Sequence, residues 1–194
     1  MDNNDLLADD KPKNEADIPS GITRGTLILL VSILAVIVGL GIYLFRQNQI
    51  QPQLGQRAPQ FSLISFAGES YTLEALQGQI VVLNFWANWC PPCHAEAPDL
   101  QDIYEEYADD GVLLLGVDYL DIQTDALSFI ERYGITYPNA PDIGERVSKT
   151  YNLQNAPETF IIGRDGKITH LFIGQVNYEM LATALDSLLN QATQ

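Results

Sequence analysis

The sequence predicts an α/β fold: a mixed central sheet with helices on both faces and an N-terminal β-hairpin, preceded by one transmembrane helix. Three observations predict it. Short apolar runs, too continuous for surface strands, alternate with segments of helical periodicity. Two apolar runs joined by "RDG" near the C-terminus read as a hairpin, which makes the sheet mixed rather than wholly parallel. Finally, Thr26 to Phe45 is a run of 20 residues without a charge. At about 1.5 Å per residue it spans roughly 30 Å, the hydrocarbon thickness of a bilayer.

The elements follow in order. Residues 1–25 are polar and charged with little apolar periodicity, and read as a disordered cytoplasmic tail. The run 26–45 lacks the polar face that a core helix keeps over five turns. The following "RQNQIQPQ" has no small-x-small cleavage site, so the run reads as a retained anchor rather than a cleaved signal. Lys11, Lys13 and Arg24 precede it, and Arg46 and Arg57 follow it. This bias of three to two places the N-terminus in the cytoplasm and the domain on the outer, periplasmic side of the plasma membrane. Dithiols meet disulfides there. Gly39 and Gly41 would permit close approach of a second helix. Residues 46–57, in the Gln-rich stretch "RQNQIQPQLGQRAPQ" with its two prolines, read as an extended tether.

A folded domain is expected over 58–192. "FSLISF" and "ESYTL", split by "AG", suggest the first hairpin. Gln79 to Ala87 reads as a buried strand and Pro91 to Tyr107 as a helix. "GVLLLGVDY" is a second buried strand. "TDALSFIERYG" is a helix with Thr124 as N-cap and Gly134 at its end. "DIGERVSKTYNL" holds a shorter helix. "ETFIIG" and "KITHLFIG" form the closing hairpin, and "NYEMLATALDSLLN" a final amphipathic helix.

Composition excludes some functions. Of 194 residues, 46% are apolar and 18% charged, enough for a real core. The net charge of −15 argues against non-specific nucleic-acid binding, which needs basic patches. An acidic surface suits basic partners, or serves solubility alone. The chain has two cysteines, Cys90 and Cys93. A pair this close constrains the unfolded chain little, so it is a poor staple, and it falls short of four zinc ligands. The pair instead sits where a buried strand meets a helix N-terminus. Unpaired N–H groups and partial positive charge there lower the pKa of Cys90. Cys90 is therefore the expected attacking thiol, with Cys93 more sheltered and resolving the mixed disulfide. Pro91 and Pro92 are tolerated because the first helical turn needs no N–H donors.

"FWANWCPPC" resembles the active site of the thioredoxin superfamily. More narrowly, the chain is similar to the membrane-anchored TlpA/ResA-type thiol-disulfide oxidoreductases, which include the DsbE/CcmG-type proteins of cytochrome c maturation. The resemblance runs from Ala58 to about Leu189. It is carried by "GQRAPQFSL", "VVLNFWANWCPPCHAEAPDL" and "APETFIIGRDGKI". It implies a thioredoxin-like three-layer sandwich. It also implies that Pro157 is the cis-proline facing the redox pair, with the Ala156 carbonyl able to bind a passing peptide. Pro98 matches a proline inside the active-site helix. Thioredoxins proper carry a buried Asp where this chain has Asn84, which cannot titrate. The resemblance assigns proton transfer to Glu96 instead, one turn after Cys93. It places Glu158 beside the cis-proline as a substrate contact, as in the cytochrome-maturation members. Trp86 reads as core, and Trp89 as an apolar surface beside Cys90. His94, following Cys93, is either an exposed basic residue or a cation that favours the thiolate. His170 reads as structural.

The function expected is reduction of disulfides in exported proteins such as apocytochrome c. A membrane dithiol would supply electrons, and no cofactor or metal is needed beyond the Cys90–Cys93 disulfide itself. The reductant direction comes from the resemblance, since an oxidant would use the same residues. A thioredoxin-fold copper chaperone would want a wider cysteine spacing. A peroxiredoxin would want Thr and Arg near its cysteine, and a passive adaptor would not need the thiols.

Overall fold

The computed structural model describes residues 24–47 and 51–191. The expected tail therefore lies outside the described residues, apart from its last two positions. The chain forms two units. The first is α1, Arg24–Gln47. Its stretch Gly25–Leu44 has a mean hydropathy of 2.9 and is long and apolar enough to cross a membrane. The apolar side chains described along it, from Leu27 to Leu44, are exposed.

The second unit contains a five-stranded sheet in the order β5-β4-β3-β6-β7. β3 (Ile80–Trp86), β4 (Val112–Asp118) and β5 (Asn139–Pro141) run parallel. β6 (Glu158–Ile162) is antiparallel to β3, and β7 (Ile168–Ile173) to β6. The sheet is thus mixed, as the closing hairpin requires. β1 (Ser62–Ile64) and β2 (Ser70–Thr72) form a separate hairpin.

Strand alternation sorts the core into two layers. Ile80, Val82 and Trp86 of β3 join a cluster with α2 (Pro91–Tyr107), α3 (Gln123–Arg132) and α5 (Tyr178–Gln191). Val81, Leu83 and Phe85 face the other way, toward the β1–β2 hairpin and α4 (Arg146–Tyr151). The period of two sends Asn84 to the α2 side. At Gly116 of β4 any Cβ would collide with the Asn139 carboxamide. That carboxamide accepts a 2.8 Å hydrogen bond from the indole N–H of buried Trp86.

Three local readings are corrected. Thr124 lies inside α3, whose N-cap is Ile122 without a side-chain bond. Gly134, at φ +59, does follow the helix end. The segment 142–153 keeps only six residues of helix, because the Asp142 carboxylate accepts from Val147 N and Ser148 N and starts α4 late. Residues 51–57 are not a free tether. Pro52 is buried, Gly55 N donates to Ile168 O at 2.7 Å, and Arg57 bridges Lys167. The short edge strand β5 has no counterpart in the sequence reading.

Candidate active site

The redox pair is built from three elements. β3 ends at Trp86, the chain turns through Ala87–Trp89, and Cys90 becomes the N-cap of α2. Pro91 and Pro92 occupy the first two helical positions, where a missing N–H costs nothing. Cys90 and Cys93 are joined as a disulfide with Cα atoms 5.3 Å apart. Cys93 N donates to Cys90 Sγ at 3.2 Å, so the Cys90 sulfur already takes a helix N–H. The sequence expects Cys93 to be the more sheltered, but each cysteine is 1% exposed. Both lie in the packed cluster around α2, onto which Ala156 also packs. Position at the cap, rather than exposure, distinguishes Cys90.

Glu96 lies one turn beyond Cys93 and is fully buried. Its Oε1 accepts from Asn84 Nδ2 and its Oε2 from Val176 N, both at 2.9 Å. Burial dominates and pushes this carboxyl up from 4.5 to about 7. The two donors oppose that rise, while the Asp99 charge adds to it. Asn84 also donates to Thr159 Oγ1 at 3.0 Å. Here an amide occupies the strand position facing α2, and the titrating group comes from the helix.

The Ala156–Pro157 bond is cis. Pairing of β6 with β7 begins at Glu158, so Ala156 lies outside the ladder. The Pro157 carbonyl is taken by Gly174 N at 2.9 Å. Glu158 is turned inward. It is fully buried, and its Oε1 accepts from Gln154 N at 2.9 Å and Asn155 N at 3.1 Å. Its Oε2 accepts from Gln51 Nε2 at 2.7 Å. Burial raises its pKa, and these three donors lower it. In this arrangement the carboxylate holds the loop before the cis-proline rather than facing outward.

Trp89 is 54% exposed, its ring 6.4 Å from that of Tyr119. Trp86 is core, stacked on Phe129 at 4.4 Å. His94 is committed at both ring nitrogens, to Tyr133 Oη and Asn88 O. His170 stacks on Phe172, and burial lowers its pKa. Sequence reasoning missed Asp118, Asp121 and Asn88. The signal was present, because "WANW" and "DYLD" follow the ends of two adjacent strands. Among the described residues, no group of His, Cys, Asp and Glu side chains is arranged to hold a metal ion.

A disulfide capping a helix at the end of a parallel strand, with a buried carboxyl beneath and a cis-proline loop beside it, defines a thioredoxin-fold thiol-disulfide oxidoreductase. The chain belongs to the AhpC/TSA family, whose model matches residues 54–171. Among curated relatives, the thiol-disulfide oxidoreductase ResA of Halalkalibacterium halodurans is 34% identical, covering 84% of this chain and 94% of the relative. ResA of Bacillus anthracis is 32% identical, covering 79% and 90%. Solved structures agree. StoA from Bacillus subtilis is 28% identical with a TM-score of 0.59, over 66% of this chain and 96% of that one. A Chlorobium tepidum protein described as a candidate thiol:disulfide interchange protein DsbE is 26% identical with a TM-score of 0.67, over 72% and 99%.

Proposed function

We propose that this chain is a membrane-anchored reductant of disulfides in exported proteins, with oxidised apocytochrome c among its clients. The observation that carries the reading is Glu96, a buried carboxyl titrating near neutrality one turn from Cys93. The length and apolarity of α1 support the anchor. The Lys and Arg bias favours a cytoplasmic N-terminus and a periplasmic domain.

In the reduced protein the Cys90 thiolate attacks one sulfur of the client disulfide. That bond breaks, a Cys90–client disulfide forms, and the second client sulfur leaves as a thiolate. Glu96, ionised, accepts the proton of Cys93. The Cys93 thiolate attacks Cys90 Sγ and releases the first client sulfur. The client gains two electrons and takes up two protons, and the Cys90–Cys93 disulfide is restored. A membrane dithiol then returns two electrons. The disulfide is the only redox group the scheme uses. Ala156, outside the ladder, pairs with the extended client, and Trp89 offers it an apolar face.

Trapping tests the reading. The full chain with Cys93→Ser should accumulate mixed disulfides with exported proteins that carry an oxidised Cys-x-x-Cys-His pair. Absence of such adducts, or equal trapping by a Cys90→Ser chain, would overturn it.

A further inference from the structure

We propose that His94 and Asp121 are positioning residues for the thiol chemistry. They hold the backbone N–H and C=O of Asn88, one each, and so hold the Trp89–Cys90 segment against the N-terminus of α2. Asn88 lies two residues before the attacking sulfur. Its N–H donates to Asp121 Oδ2, and its carbonyl accepts from His94 Nε2 at 2.6 Å. The two grips come from different elements. Asp121 is in the loop after β4, and His94 is in the first turn of α2, directly after Cys93.

The chemistry of each contact is fixed by its partner. A carbonyl oxygen only accepts, so His94 Nε2 carries the hydrogen. In the neutral ring Nδ1 then accepts from the Tyr133 hydroxyl at 2.9 Å. The ring lies 5.0 Å from Phe129 and 5.6 Å from Tyr133, which fixes its plane. The imidazole is thus spent on the loop.

Asp121 is supported from behind by Asp118, the last residue of β4, which pairs in register with Trp86. Asp118 is 3% exposed, and burial with the Asp121 and Asp142 charges pushes its carboxyl up to about 8. Its side chain hydrogen-bonds Asp121. The third carboxylate nearby, Asp142, is occupied by Val147 N and Ser148 N. Asp121 is left to receive the Asn88 N–H.

The consequence falls on Cys90. Cys90 N donates to Ala87 O at 3.2 Å, so the turn 87–90 is closed on itself, and its middle is what His94 and Asp121 hold. The alignment of Cys90 Sγ with the helix N–H of Cys93 follows from that turn. Loosening the grip would weaken thiolate stabilisation although neither residue touches sulfur.

The test is the pH dependence of iodoacetamide alkylation of Cys90 in the full-length, reduced protein, in detergent. Variants are His94→Leu and Asp121→Ala, which remove the contacts, and His94→Gln and Asp121→Asn, which keep a donor and an acceptor. The first pair should raise the apparent pKa of Cys90 and slow alkylation at pH 7 by roughly twofold to fivefold, the size of a helix-terminus interaction. The second pair should recover most of that loss. An unshifted profile in folded Asp121→Ala overturns the proposal whether or not His94→Leu folds. So does a shift of equal size in the conservative variants, which would assign the effect to charge or ring.

Discussion

The Asn84 carboxamide donates a 2.9 Å hydrogen bond to the Glu96 carboxylate, and neither residue has exposed surface. Strand alternation aims Asn84 at α2, and one turn of helix carries the carboxyl in from Cys93. The site therefore stores its titrating group on the helix, in contact with a neutral strand partner.

The first prediction concerns Glu96. Its pKa rises from 4.5 to about 7 on folding, with burial as the main cause. The folded state therefore holds the proton longer than the unfolded chain. Stability from this group is complete below pH 4.5 and is lost as pH rises to about 7. At about 1.4 kcal/mol per pH decade the change is about 3 kcal/mol. Urea denaturation of the oxidised protein at pH 5 and pH 8 should show this loss, and Glu96→Gln should flatten it. In the reduced protein the resolving step should speed up with pH through about 7 and lose that inflection in Glu96→Gln.

Asn84→Asp would place a second carboxyl against Glu96. Two buried carboxyls in contact cannot both ionise cheaply. One proton should be shared and the upper apparent pKa should exceed 7. Carboxyl titration by isotope-edited infrared spectroscopy checks this, and two independent carboxylates at pH 8 would contradict it.

Glu158→Ala would strand the Gln154 and Asn155 N–H groups and release Gln51. Three hydrogen bonds to the buried carboxyl are lost together, so a loss of about 2–3 kcal/mol is expected in denaturant titration. Proteolysis should also open the segment around Gln51. An unchanged midpoint would mean that the carboxylate does not hold the loop.

Gly116→Ala would press on the Trp86–Asn139 bond. A loss of about 1–3 kcal/mol is expected, read as a lower Tm with little change in thiol reactivity.

Much of this was legible in the residues. Continuous apolar runs marked β3, β4 and β6, and the helix Pro91–Tyr107 agrees with its reading end to end. Pro91 and Pro92, side by side, suit its first turn, which placed Cys90 at the cap. β5 was not legible, because Asn139–Pro141 is three residues long and owes its place to pairing with β4. The docking of 51–57 was hidden too. A Gln- and Pro-rich segment carries no apolar pattern, and Gln51 is held by a carboxylate 107 positions away. The grip on Asn88 joins the stretch 88–94 to Asp121, 33 positions beyond Asn88, and only strand register brings Trp86 beside Asp118.

The most direct test of the proposed reductant is the equilibrium reduction potential of the Cys90–Cys93 pair in the full-length protein, against glutathione and dithiothreitol buffers. A reductant should lie near the thioredoxin value of about −270 mV. A value near the about −120 mV of a strong oxidant would contradict the account, because electrons would then run from client to Cys90.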